Sequence, residues 1–284
     1  MEANRDDSGE HLAWPDRRLI ELLRLEHPII LAPMGGFATA ELAASVCAAG
    51  GLGSIGCAGL SPEAARDAIA QLRARTVRPI NVNFFCHAPA PADPGREDAW
   101  RRRLEPYWRE FRNDALAAAA PVQVPPFDDA MCQVVEAARP EVVSFHFGLP
   151  APSLLARIKS AGCRVMSSAT TVAEARWLED HGADIVIAQG YDAGGHRGMF
   201  LATDLAREVV SQPGTMALVP QVVDAVRVPV VAAGGIADAR GIAAAFALGS
   251  REFNSAPRIC CARRRAPRRR TAKPSRVPAR TRPL

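Results

Sequence analysis

Three stretches of this chain carry residue types that could do chemistry. The first is Gln189-Gly190-Tyr191-Asp192-Ala193-Gly194-Gly195-His196-Arg197-Gly198. An imidazole titrates near neutrality, so His196 suits proton transfer. The surrounding glycines, Gly194 and Gly195 among them, let backbone amides approach a ligand. A flexible surface loop with an exposed histidine is the plainer reading of the same residues. The second stretch is Ala232-Ala233-Gly234-Gly235-Ile236-Ala237-Asp238. Paired glycines before a helix start can offer free amides and the positive end of the helix dipole to a phosphate. The third is Ser144-Phe145-His146-Phe147-Gly148, where His146 closes an apolar run. It is either a ligand contact or a hydrogen-bonded core histidine. Asn81 and Asn83 lie in a buried run and need partners, which a ligand or neighbouring backbone could supply.

These residues fall at the ends of predicted strands. The strand-type runs are Ile29–Ala32, Leu52–Ile55, Ile80–Phe85, Glu141–Phe145, Arg164–Ser167, Ala183–Gln189 and Val228–Ala232. Helices are predicted between them. One is capped by Thr39 and ends at Gly50-Gly51, and one is opened by Ser61-Pro62-Glu63. Others are predicted over Asp128–Ala138, Ser153–Ala161, Thr171–His181, within Met216–Val226, and over Asp238–Leu248. The stretch from His87 to Pro126 reads as an irregular insertion, with extra helix around Trp100–Phe111. Alternation at this spacing predicts a parallel sheet covered by helices. Strands that are apolar throughout fit burial on both faces. A doubly wound open sheet is the competing architecture. A (β/α)8 barrel is preferred because the chemical residues follow nearly every strand, and in a barrel those ends share one mouth. The glycine pair after the seventh strand also stands where barrels commonly bind phosphate.

The 284 residues carry 35 Lys+Arg and 30 Asp+Glu, a net charge of +5. Twelve of the basic residues and a single acid lie in 251–284. That leaves 23 basic against 29 acidic residues in 1–250, a net of −6, which gives no electrostatic reason to bind nucleic acid. The polar start reads as an N-terminal extension over 1–19 without an export signal, and no apolar run is long enough to span a bilayer. Seven scattered cysteines without a C-x-x-C pair fit a reducing cytoplasm, and no metal-ligand spacing stands out.

Taken together, Ala32-Pro33-Met34, Asn81-Val82-Asn83-Phe84, Ser144-Phe145-His146-Phe147-Gly148, Ala188-Gln189-Gly190 with Ala193-Gly194-Gly195-His196-Arg197-Gly198, and Ala232-Ala233-Gly234-Gly235-Ile236 resemble the nitronate monooxygenase family, formerly called 2-nitropropane dioxygenases. The resemblance spans about 20–250. It implies an FMN-dependent barrel that oxidises small alkyl nitronates with O2, giving a carbonyl compound and nitrite without a nicotinamide. By motif, Pro33, Met34, Asn83, Gln189, Gly194, Gly195, Gly234 and Gly235 would line FMN. His196 would be the active-site histidine, as base toward a nitroalkane or as holder of the nitronate. His146 would add a second polar contact to the nitro group. A flavin-dependent reductase of the enoyl-acyl-carrier-protein type would share scaffold and flavin site, but would need NAD(P)H.

One departure from the family follows Gly249-Ser250. Where the resemblance implies an eighth strand reading like Gly-Val-Gln-x-Gly-Thr-Ala, this chain has Arg251-Glu252-Phe253-Asn254-Ser255-Ala256-Pro257-Arg258-Ile259. Codons permitted for Arg251 to Arg264 can be chosen so that another frame reads R-V-Q-F-G-T-A-Y-L-L-C-P-E-A, which suggests a slipped reading frame. The predicted consequence is a barrel lacking its eighth strand, with strands one and seven left as open edges and half the phosphate site gone. Weak or absent FMN binding and poor solubility are then expected, an inactive truncated barrel at the extreme. The 251–284 tail, with Arg263-Arg264-Arg265 and Arg268-Arg269-Arg270, reads as a disordered, solvated segment, and alternatively as a nonspecific nucleic-acid contact. The oligomeric state stays open.

Overall fold

Buried apolar strands can satisfy their backbones only by pairing on both sides, and here they do so in one ring. The computed structural model describes residues 14, 16–89, 93–111 and 124–249, and the backbone of 252–255. Eight parallel strands follow the order β1-β8-β7-β6-β5-β4-β3-β2. They are β1 (Ile29–Leu31), β2 (Gly53–Gly56), β3 (Ile80–Phe85), β4 (Val142–His146), β5 (Arg164–Ala169), β6 (Ile185–Gln189), β7 (Val230–Ala233) and β8 (Glu252–Ser255). The Ile30–Leu52 bridge joins β1 to β2, with Leu52 N–H donating to Ile29 O at 2.8 Å and Leu31 N–H to Leu52 O at 3.0 Å. The barrel predicted from the alternation is therefore present.

One expectation is corrected. The barrel does not lack its eighth strand: four residues after the break pair in parallel with β7 (Ala232 opposite Phe253) and with β1 (Ile30 opposite Asn254). Ladder bonds use backbone groups that every residue except proline carries. Two facing edges can thus recruit a segment whose side chains do not match the expected motif. The rest of the tail lies outside the described residues.

Ten helices stand among the described residues: α1 (Arg18–Leu23), α2 (Ala40–Ala48), α3 (Pro62–Arg73), α4 (Pro94–Glu110), α5 (Asp129–Ala138), α6 (Pro152–Ser160), α7 (Val172–Asp180), α8 (Leu205–Ser211), α9 (Thr215–Ala225) and α10 (Ala239–Ala247). The sequence signals for their starts are physical. Thr39 Oγ1 accepts from Leu42 N–H and Ser61 Oγ from Ala64 N–H, both at 3.2 Å. Pro62 occupies the first turn behind its cap, where its missing N–H costs nothing. Neither α1 nor α8 is among the predicted helices, both being short, and α1 has no side-chain cap to mark its start.

Strand side chains alternate between two cores. Ile80, Val82 and Phe84 pack outward with Ala43, Ala65 and Val135 of the helix layer. Ile30, Leu52, Val142, Met166, Ile185, Ile187 and Val231 fill the lumen. Leu19, Ile20 and Leu23 of α1 belong to that same lumen core, so residues before 20 contribute to the barrel. Asn81, Asn83 and Ser54 are buried on the alternate strand positions. The barrel is thus apolar at one end and polar toward the ends of its strands, which is where a ligand is bound in this architecture.

Candidate active site

His146 is the last residue of β4, and the chain turns sharply after it. Phe147 has φ 66° and Gly148 φ 92°, two left-handed residues in succession. A phenylalanine in that region costs on the order of 1–2 kcal/mol, so the surrounding packing must hold it there. Gly148 is required, because a Cβ would stand 3.3 Å from the Phe200 ring in an already left-handed conformation. The Ser167 hydroxyl donates to the Gly148 carbonyl at 2.8 Å and fixes the turn from below. His146 Nδ1 hydrogen-bonds the Ser168 hydroxyl at 2.7 Å. Burial, with a smaller contribution from His196 nearby, pulls its pKa down to about 4. This imidazole is neutral at physiological pH.

His196 comes from the long loop after β6, and that loop is pinned at three points. Gln189 Nε2 donates to the His196 carbonyl at 2.8 Å, and Gly198 N–H donates to Gln189 Oε1 at 2.7 Å. Asp192 Oδ2 accepts from Thr215 N–H at 2.8 Å, which holds the carboxyl below the usual carboxylate range. At the far end the buried Glu174 carboxylate accepts from Phe200 and Leu201 N–H at 2.7 and 3.2 Å, and also from Thr170 N–H and Oγ1. Arg197 donates back to the Ala193 carbonyl and lies 4.6 Å over the Tyr191 ring. The loop has no regular secondary structure, yet its backbone is held. His196 itself is exposed.

The two histidines meet around Phe85 at the end of β3. Its ring lies 5.0 Å from that of His196 and 6.0 Å from that of His146. Phe147 closes the group at 5.3 Å from Phe85 and 6.0 Å from His196, and His87 stands 5.8 Å from Phe147. His87 Nδ1 is buried without a hydrogen-bond partner among the described residues. Sequence reasoning missed Phe85, His87 and Phe147. The signal was available for two of them, because Asn81, Asn83, Phe85 and His87 follow one another at the two-residue period of a strand face.

Other residues singled out in the sequence take different parts. Asn83 spends both N–H groups on Ser144, at 3.0 Å to Oγ and 3.2 Å to the carbonyl, and no described group donates to its Oδ1. Asn81 donates to Ser54 Oγ at 3.1 Å and keeps a buried Oδ1 without a partner. The side chain of Gln189 is turned wholly to the loop backbone. Pro33 and Met34 follow β1 half-buried, the Pro33 carbonyl lying 3.2 Å from where a Cβ on Gly56 would stand. A Cβ on Gly234 (φ 132°) would meet Thr215 Oγ1 at 2.3 Å, and one on Gly235 (φ 65°) would meet Asp192 Cβ at 3.0 Å. The N-terminus of α10 already holds an anion, since Asp238 Oδ1 accepts from Arg240 and Gly241 N–H at 3.0 and 3.3 Å. A phosphate at this helix start would share it with the Asp238 carboxylate, beside the amides of Gly234 and Gly235. Among the described residues no group of three His, Cys, Asp or Glu could hold a metal ion.

Comparison with known proteins agrees with this fold. A nitronate monooxygenase of Paraburkholderia phytofirmans is 43% identical over 235 residues, covering 82% of this chain and 63% of that protein. A nitronate monooxygenase of Pseudomonas aeruginosa is 44% identical over 234 residues, covering 82% and 66%. The nitroalkane oxidase of Streptomyces ansochromogenes superposes with a TM-score of 0.74 at 34% identity, over 85% of this chain and 67% of that one. The chain thus spans less than two thirds of the length of these two nitronate monooxygenases. The sequence profile of nitronate monooxygenase matches residues 16–262, and with a histidine pair at the mouth of a parallel barrel the chain belongs to the nitronate monooxygenase family.

Proposed function

We propose that this chain oxidises alkyl nitronates with O2, giving a carbonyl compound and nitrite, with FMN at the mouth of the barrel. The observation that carries the reading is the convergence of His146 and His196 on Phe85, in a chain of this family. The residues present fit a flavin. Gly35, Gly36, Gly194 and Gly195 have no atom within 4 Å of a would-be Cβ, so the rim is open for close backbone approach. Asn83 Oδ1 is an acceptor without a described donor, and Gly234 and Gly235 would offer amides to the phosphate. FMN, when bound, accepts electrons from the substrate and passes them to O2.

The protein's own part is positional and protonic. His146 would present an uncharged ring to the nitro group, because burial keeps it deprotonated, and Ser168 fixes that ring's orientation. His196, exposed on its pinned loop, would take the proton of a neutral nitroalkane and release it to water, or hold a nitronate already ionised. Phe85 and Phe147 would exclude water beside the reacting carbon. No helix among the described residues is long and apolar enough to cross a membrane. The free cysteines Cys47, Cys57, Cys86, Cys132 and Cys163 further support a reducing cytoplasmic setting.

Nitrite release from propyl-2-nitronate by the purified chain, with FMN added and no nicotinamide, tests the reading. Nitrite at a rate that falls at least a hundredfold in His196→Asn supports it. Flavin reduction that requires NAD(P)H would overturn it in favour of a reductase.

A further inference from the structure

Beyond Phe85 lies a second space that the histidine pair does not use. A cavity of about 140 Å³ is walled by the turn after β2 (Cys57, Ala58, Leu60), by Phe84 and Phe85, and by the segment entering α5 (Pro126, Phe127, Met131). Its walls carry little polarity. The Asp128 carboxylate is already engaged in capping α5, accepting from Met131 N–H at 2.9 Å, and Ser61 Oγ caps α3. Cys57 is buried, and its thiol stays protonated, pushed up to about 12 by that burial. An enclosed apolar cavity of about 150 Å³ takes a guest of benzene size, and this mostly apolar, partly open one has room for a short alkyl chain. Phe85 is common to both spaces: one wall of the cavity, and a ring 6.0 Å from that of His146 and 5.0 Å from that of His196.

We infer that this cavity takes the alkyl tail of the substrate whose nitro group lies at the histidines, with Phe85 as the partition the tail passes. This rests on the nitronate reading of the site and adds chain-length selection to it. A primary nitronate of roughly five or six carbons would fill the space, whereas nitroethane would leave it empty.

The test is a homologous series from nitroethane to 1-nitrooctane. Two quantities are read on the FMN-supplemented chain: kcat/KM for the nitronates, and calorimetric affinity for the parent nitroalkanes. Each added methylene is expected to raise both by about fourfold until the cavity is full. Ala58→Phe, which fills the cavity, should flatten the series and leave nitroethane within about twofold. Leu60→Ala, which enlarges it, should move the optimum to longer chains. Nitronate turnover that is indifferent to chain length, or a series unchanged in both variants, would overturn the proposal. Chain-length-dependent binding that Ala58→Phe abolishes, in a protein releasing no nitrite, would uphold the cavity and overturn the nitronate reading instead. Absence of both binding increments and turnover would sink the two together.

Discussion

A neutral imidazole at the end of β4 has a measurable signature. His146 ionises near pH 4 in the folded chain and near 6.5 when unfolded. The unfolded state therefore binds the extra proton first as pH falls. The stability this contributes is complete above about pH 6.5 and is lost progressively down to about pH 4, up to roughly 3 kcal/mol. Urea unfolding at several pH values should show a steeper acid loss in the parent than in His146→Asn. Parallel curves for the two proteins would refute a buried, deprotonated ring. Glu174 supports a different expectation. Its carboxylate accepts four hydrogen bonds, and a glutamine can offer only one oxygen to those donors. Glu174→Gln should cost about 2–4 kcal/mol, read as a fall in Tm of several degrees. A Tm within a degree of the parent would show that the loop does not depend on that anchor.

At the scale of the element, the loop after β6 behaves as part of the scaffold. Gly190 is fixed by close approach: a Cβ there would stand 2.2 Å from Thr215 Oγ1 and 2.3 Å from Thr215 Cα and N. Backbone cannot step aside as a side-chain tip can, so Gly190→Ala should expel the chain from α9 and yield little folded protein. A folded, parent-like circular dichroism melt would contradict that. Strands and capped helices were largely legible from sequence. Ile80–Phe85 coincides with β3, and Thr39, Ser61 and Thr171 cap the helices they precede. His146 and His196 stood out as candidates as well, because one ends a strand and the other sits among glycines, whereas His87 did not. The work of Gln189 was not legible, since an amide's partners depend on where the chain returns seven and nine residues later. Phe85 was overlooked for another reason: an aromatic in an apolar strand reads as core unless the two-residue period from Asn81 and Asn83 is followed out to it.

For the whole molecule, closure is the decisive property. β8 stands between β7 and β1 on backbone pairing, so a proline in it should be felt throughout the barrel. Asn254→Pro is expected to lower Tm sharply and promote aggregation, as seen by light scattering. An unchanged melt would mean that this strand contributes nothing to closure. Closure is separate from cofactor binding, because the Gly-Thr that the resemblance implies within the eighth-strand motif does not follow Ser250. Restoring the other reading frame after Ser250 should therefore raise FMN affinity more than it raises Tm. Absorbance near roughly 450 nm, typical of flavins, after desalting both forms would decide this; equal retention would sink the frame-slip proposal.

The carboxylates seated at the helix starts carry one further consequence, for kinetics. Asp192 occupies the first amide of α9 and Asp238 those of α10, while Arg197 is held against the Ala193 carbonyl and the Tyr191 ring. Such a rim would exert little long-range pull on an approaching anion. Capture of a nitronate would then proceed at the pace of unguided diffusion, and its second-order rate constant should barely change between about 0.01 M and 1 M salt.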